Sequence, residues 1–316
     1  MLRNMLSAQR PWPRIIVLLS IMAAFAHGMP IAKAQSAPAS APVTLTTTLV
    51  KTGLFLITGG GANTLVRLSA AGLILVDGKL PSNYGALISK VKTISKFIDL
   101  PVQVVIVTNH NEDRDGTNAK FIAAGIPIIG QENVKTNLSA VRHADGRLPP
   151  PTITYAHDYT LRLGGVEARL VHYGNAYSDD DTVVYFPNLK VIAVGNLVTP
   201  NTPSPDFLAG GSLADWGPVL AQILKLDFDV VVPSTGPVMA RDDLVAFKTK
   251  IDILVARARR LVASGVGKDQ LLARLDPEDF GWRFSFNERE VDRLYAQLSE
   301  STLVSDHPSE KHVLPK

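Results

Sequence analysis

The largely apolar run Val102 to Val107 stops abruptly at Thr108-Asn-His-Asn-Glu-Asp-Arg-Asp-Gly-Thr-Asn118. A run of this kind reads as a strand buried on both faces, which requires layers of structure above and below it. The polar residues that follow then form a loop at the strand's C-terminal end, where layered α/β folds gather their ligand-binding loops.

The surrounding order of elements points to the same architecture. Strand-like stretches at Thr44 to Val50, Leu54 to Thr58, Thr64 to Leu68 and Leu73 to Asp77 are broken by glycines, of which Gly59-Gly-Gly61 reads as a hairpin or edge turn. Helical spacing follows over Tyr84 to Phe97, and again over Asn118 to Ala124 and Gln131 to Ala140, with a short strand at Pro127 to Ile129. A second β-rich half is expected from Thr152 to Tyr155, Thr160 to Leu163, Val166 to Tyr173, Thr182 to Phe186 and Val191 to Val194. Ser212-Leu-Ala-Asp215 caps a helix, and Asp229 to Val232 is one more buried strand. This β-rich, then αβ, order repeated twice fits an α/β (α+β) αββα sandwich over residues 44–240. A C-terminal helical extension over 241–300 carries apolar residues at intervals of three and four from Leu244 to Leu261, and a polar tail over 301–316 is expected to be disordered.

Composition enters through the N-terminus. Residues 1–34 hold Arg3, Arg10, Arg14 and Lys33, no acidic residue, an apolar stretch Ile15 to Ala26 and Ala32-Lys-Ala34 before Gln35. This predicts a Sec signal peptide cleaved near Ala34/Gln35, a flexible leader over 35–43, and a periplasmic or secreted protein with no membrane anchor left after cleavage. Twelve apolar residues are short against the roughly 20 that a membrane-spanning helix needs. Cleavage removes four of the 32 basic residues and none of the 29 acidic ones, which turns a formal charge of +3 into about −1. The basicity therefore belongs to the export segment and implies no nucleic-acid partner. With no cysteine in the chain, disulfides, thiolate ligands and cysteine nucleophiles are excluded.

Four loops share one pattern. The spacing at Thr108 to Gly116 resembles T-H-x-H-x-D-H-x-G, Tyr173 to Thr182 resembles G-x-x-H-[ST]-x-x-D, Val194-Gly195-Asn196 resembles a strand ending in G-D, and Val232 to Pro237 resembles P-G-H-G-P. Together with Val76-Asp77-Gly78 these resemble the metallo-β-lactamase superfamily from about Leu54 to Pro237. The resemblance implies seven dizinc ligand positions, which read Asn109, Asn111, Asp113, Arg114, Tyr177, Asn196 and Thr235. It also places Asp77 and Asp181 behind the ligands, with His110 on a spacer facing away from Asn109 and Asn111.

Only Asp113 of the seven is an ordinary zinc ligand, since zinc requires thiolate, imidazole or carboxylate donors and Arg114 carries a fixed positive charge. No metal and no cofactor are therefore expected. Histidines elsewhere do not rebuild a site: His110, His143, His157, His172, His307 and His312 contain no pair at i,i+2 or i,i+4. Asp179-Asp-Asp181 reads as a solvated turn, His172 as a packed polar residue, and Asp113-Arg114-Asp115 as a structural ion-pair cluster. No nucleophile elbow, Walker loop or dinucleotide fingerprint follows a suitable strand.

Three functions follow as expectations. The first is an exported protein that has lost the dizinc hydrolase centre and uses the polar pocket for binding or a structural role, with Arg114 facing an anionic small molecule. The second is a divergent hydrolase, β-lactamase, lactonase or thioesterase-like, in which Asp113 holds a weak metal or acts as a metal-free general base. The third is a protein-interaction module working through the C-terminal helices.

Overall fold

The computed structural model describes residues 43–95, 100–140, 148–275 and 277–304, with backbone only for 300–304. The expected signal peptide and its cleavage point, nearly all of the leader, Phe97, His143, and the tail from residue 305 with His307 and His312 lie outside the described residues.

Two sheets carry the fold. The first has seven strands in sequence order: β1 (Thr46–Lys51), β2 (Leu54–Thr58), β3 (Thr64–Ser69), β4 (Gly72–Val76), β5 (Val102–Ile106), β6 (Ile128–Gln131) and β7 (Ile153–Tyr155). The first four are joined by antiparallel pairing and the last four by parallel pairing. The change from hairpins to crossovers puts α1 (Tyr84–Ile94), the short helices α2 (Glu112–Asp115) and α3 (Asn118–Ala123), and α4 (Asn133–Ala140) between the parallel strands. The second sheet runs β13 (Met239–Ala240), β12 (Val230–Pro233), β11 (Val191–Gly195), β10 (Val183–Phe186), β9 (Val166–Val171), β8 (Asp158–Leu163).

Three apolar clusters define the layers. Leu56, Leu65, Ile74, Val76 and Ile106 of the first sheet meet Ala168, Leu170, Val184, Phe186 and Ala193 of the second. The other face of the first sheet buries Ile57, Val66, Leu75 and Val105 against Leu87, Val91, Phe121, Val134 and Leu138 of its helices. The outer face of the second sheet packs on α5 (Leu213–Ile223), α6 (Arg241–Ala263), α7 (Lys268–Leu275) and α8 (Glu288–Val304) through Trp216, Leu220, Leu244, Phe247, Ile251, Leu254, Leu294 and Leu298. This is the αββα sandwich. Among the described residues no helix is long and apolar enough to cross a membrane.

Three details depart from the sequence reading. Thr152 to Tyr155 was expected in the second β-rich half, yet β7 pairs parallel with β6 and ends the first sheet. Residues 241–300 were expected as an extension, and the apolar stripes of α6 and α8 pack into one core with the second sheet. Helix α8 runs to Val304, four residues into the tail that was expected to be disordered.

Candidate functional site

The ends of β4, β5, β11 and β12 converge at one edge of the sandwich. Asp77 leaves β4 with φ 61°, a left-handed conformation that costs a non-glycine residue about 1–2 kcal/mol. It is held there because its backbone N–H donates to Ile106 O at 2.7 Å, while its carboxylate accepts from Thr108 N at 2.7 Å and Thr108 Oγ1 at 2.8 Å. The β5 loop is thus fastened to the end of β4. The Gly59-Gly-Gly61 turn closes over the same edge: Lys79, fully buried, donates from Nζ to Ile57 O at 2.9 Å and also to Ala62 O, and Ala62 N donates to Asp113 O at 3.1 Å.

Arg114 occupies the centre and is 1% exposed. Its Nη1 donates to Asp113 Oδ1 at 2.8 Å and Asn109 Oδ1 at 3.1 Å, and its Nη2 donates to Asn196 Oδ1. Nε lies 3.7 Å from Asp77 Oδ2, close enough for ionic attraction but too far for a hydrogen bond. Ser234 Oγ donates to the same Asn196 oxygen, which ties in the loop after β12. Asn111 Nδ2 donates to Tyr177 Oη at 2.8 Å, while its backbone N–H donates to Asn109 Oδ1 at 3.1 Å, the oxygen that also accepts from Arg114. Thr235, half-buried at the rim, has no side-chain hydrogen bond that joins it to either group. Six of the seven positions are therefore linked, four in the Arg114 cluster and the Asn111–Tyr177 pair joined to them through Asn109.

His110 faces away from that centre, as alternation requires. Its Nδ1 is 2.8 Å from Asp180 Oδ2 and its Nε2 is 3.3 Å from Asp206 Oδ2. Burial opposes its charge, but the hydrogen bonds and charges of Asp180 and Asp206 outweigh that and push its pKa up to about 10. Asp206 is correspondingly held below its ordinary value, first by the His110 hydrogen bond. Asp180 also accepts from Ser178 Oγ at 2.6 Å and Asn137 Nδ2 at 2.9 Å. Asp181 accepts from Ser178 N at 2.8 Å and Ser178 Oγ at 3.0 Å. The expected solvated turn at Asp179-Asp-Asp181 is instead anchored by two buried carboxylates. His172, by contrast, is a packed polar residue whose Nδ1 meets Asp181 O at 2.8 Å.

Burial governs the acids. It pushes Asp77 up to about 6 against the opposing charge of Arg114 and the Thr108 bonds, and it pushes Asp181 up to about 7 with help from Asp180. Asp115 is raised well above the ordinary carboxylate value by burial and then by Asp77 and Asp180. Asn118 lies close enough to oppose that shift, yet neither side chain completes a well-formed hydrogen bond. The expected ion-pair cluster thus contains Arg114 with Asp113 and Asp77, and Asp115 stands outside it.

Arg114, expected to face an open polar cavity, is itself buried. A space of about 10 Å³ beside Asp77, lined also by Asn63, Gly195 and Ser234, has room for about one water. Sequence reading missed Asp180, Asp206, Ser178, Asn137, Lys79 and Ser234. The acidic run flagged Asp180 only as part of a turn, and nothing local marks Asp206 beyond its position before a short 3-10 turn, where it accepts from Leu208 N and Ala209 N.

No family model matches the chain. Over 255 residues it is 29% identical to the 2,4-dinitroanisole O-demethylase subunit alpha of Nocardioides sp. (strain JS1661), covering 77% of this chain and 76% of that relative. It is 28% identical to metallo-beta-lactamase IND-1 of Chryseobacterium indologenes over 156 residues, covering 49% of this chain and 62% of the relative. A metallo-beta-lactamase structure from Pontibacter korlensis superposes with a TM-score of 0.58 at 22% identity, over 66% of this chain and 99% of that one. The DIM-1 metallo-beta-lactamase gives 0.57 at 17% identity, over 67% and 99%. The chain has the metallo-β-lactamase fold.

The superfamily's dizinc centre does not fit the residues present. The acceptor oxygens of Asn109, Asp113 and Asn196 face a guanidinium, so a dication at that point would meet Arg114's charge before any donor. Among the described residues no group of three or more His, Cys, Asp or Glu side chains is arranged to hold a metal ion. What the arrangement does chemically is bind loops together: Arg114 joins the β4, β5 and β11 ends, and His110 joins the loops that carry Asp180 and Asp206.

Proposed function

We propose that this chain is an exported, non-hydrolytic member of the superfamily in which the metal centre has become a structural core of charged and amide side chains. The observation that supports this most is the burial of Arg114 at 1% exposure, with hydrogen bonds to three of the other six ligand positions. A superfamily hydrolase needs an open coordination position and a water activated by metal, and a guanidinium supplies neither. An anionic ligand would have to displace Asp113 and Asn196 from Arg114, which favours a structural role over anion binding. Any binding then falls to the rim, where Asn111, Tyr177 and Thr235 remain half-exposed.

The hydrolase alternative rests on Asp113, which is 32% exposed and so reachable by a substrate. Its Oδ1 accepts from Arg114 Nη1 at 2.8 Å, which occupies an oxygen that a substrate proton would have to reach. Export rests on residues 1–34 and is tested by N-terminal sequencing of the protein recovered from the envelope or medium, with Gln35 expected first.

Elemental analysis of protein purified without chelator tests the central reading. Zinc and iron far below stoichiometry are expected, together with no turnover of nitrocefin, lactone or thioester substrates. About one or more equivalents of metal, removable with loss of activity, would overturn it.

A further inference from the structure

The first sheet has an edge without the usual protection. Strand β1 pairs with β2 on one side and, among the described residues, with nothing on the other. Edge strands are normally shielded by shortness, charge, proline or a bulge. The other three edges follow that rule: β7 has three residues, β13 has two, and β8 carries Asp158 and Arg162. The segment Leu45-Thr46-Thr47-Thr48-Leu49 has no charge and no proline, and the irregularity in its pairing falls beyond it, between Leu49 and Lys51.

That segment reads the same in both directions. An antiparallel pair of identical strands is related by a two-fold axis, so a sequence that is its own reverse places like with like at every position. Centred on Thr47, such pairing sets Leu45 opposite Leu49, Thr46 opposite Thr48, and Thr47 opposite itself.

We propose that two copies of this chain join through β1, antiparallel about a two-fold axis at Thr47, to form one continuous sheet. The side chains suit this register. Leu45, Thr47 and Leu49 share the face that looks towards α1, since Thr47 pairs with Ile57 and Leu49 with Phe55, and Leu45 and Ile57 lie in the cluster beneath the helices. Leu45 is 3% exposed and Leu49 is 60% exposed. Next to Leu45 runs a groove of about 510 Å³ lined by Leu45, Thr47, Phe55, Lys90, Thr93 and Ile94. Directly opposed residues of antiparallel strands lie on the same face, so the partner's Leu49 lands beside Leu45 and over that groove. Thr47 Oγ1 is buried without a hydrogen-bond partner, and across the axis it meets its own copy, a hydroxyl that both donates and accepts.

The chain's lack of cysteine makes the register directly testable. Opposed Cα atoms of antiparallel strands lie about 4.5–5.5 Å apart, inside the span of about 4.4–6.8 Å that a disulfide bridges. Full-length protein carrying Thr47→Cys is expected to become a disulfide-linked dimer on mild oxidation, while Thr249→Cys, on the exposed side of α6, stays monomeric on denaturing gels. Sedimentation across a dilution series is expected to show a wild-type dimer. Leu49→Lys, at a side chain exposed in the single copy, is expected to yield monomers with an unchanged circular dichroism spectrum. A wild type that sediments as a monomer throughout, or a dimer that survives Leu49→Lys and leaves Thr47→Cys unlinked, overturns the proposal.

Discussion

Arg114 and Asn196 stand 82 positions apart in sequence, yet the guanidinium of one donates directly to the amide oxygen of the other. Through that bond the end of β5 and the end of β11, strands of opposite sheets, share one fixed positive charge. The resemblance assigns these positions to metal ligands. Here a side chain of the protein holds the loops.

Replacing Arg114 by alanine should therefore destabilise the fold by about 3–5 kcal/mol, because Asp113 and Asp77 lose the guanidinium that lies against both and keep only the Lys79 charge nearby. Arg114→Lys keeps the charge but cannot bond in three directions with a planar fork, and should recover only part of the loss. Urea unfolding of the three proteins measures this. An alanine variant as stable as the wild type would show that the cluster contributes nothing.

Chelator and zinc should leave the melting temperature unchanged, since a ligand that does not bind the folded state cannot shift its stability. Substituting Asn109→His, Asn111→His, Tyr177→His, Arg114→His, Asn196→Asp and Thr235→His together should yield a chain that takes up zinc and is stabilised by it. Calorimetric titration compares the two. Zinc uptake by the wild type, or none by the substituted chain, would count against the equivalence of these positions.

Stability should fall as pH rises from about 4 towards 8. His110 has a folded pKa of about 10 against an ordinary 6.5, so its contribution is complete below 6.5 and is lost as pH climbs through 10. Asp77, at about 6, and Asp181, at about 7, are raised from 3.8, so the folded state binds their protons more tightly and loses that advantage between pH 4 and 7. Lys79, lowered to about 8 by burial, acts in the opposite sense only above that value. Urea midpoints at pH 6 and 8 should differ in favour of the lower pH, and His110→Gln should reduce the difference. A higher midpoint at pH 8 would contradict the burial of these acids.

Deleting residues from Arg241 onwards should prevent folding and not merely remove an appendage. Ile251 and Leu254 are fully buried against the layer that holds Trp216, and Ile251→Ala alone should cost about 2–5 kcal/mol. A soluble, cooperatively melting 1–240 fragment would refute this.

Much of the architecture was legible locally. The run at Val102 to Val107, the glycine-broken strands before it and the apolar stripes of α6 and α8 are patterns of period two or three to four, set by backbone geometry within a few residues. The lack of zinc-donor side chains at Asn109, Asn111, Tyr177, Asn196 and Thr235 was equally visible, because ligand chemistry belongs to residue type. Which way Arg114 points was not. Its expected role, a cation facing a ligand in an open pocket, depended on whether Asp113, Asn109 and Asn196 would reach it first, and that is settled by the approach of two sheets. The same holds for His110, whose partners Asp180 and Asp206 lie 70 and 96 positions away, and for β7, whose choice of sheet follows from its pairing with β6. Periodicity and donor chemistry are properties of the chain, whereas the pairing of buried charges is decided only where distant segments meet and exclude water.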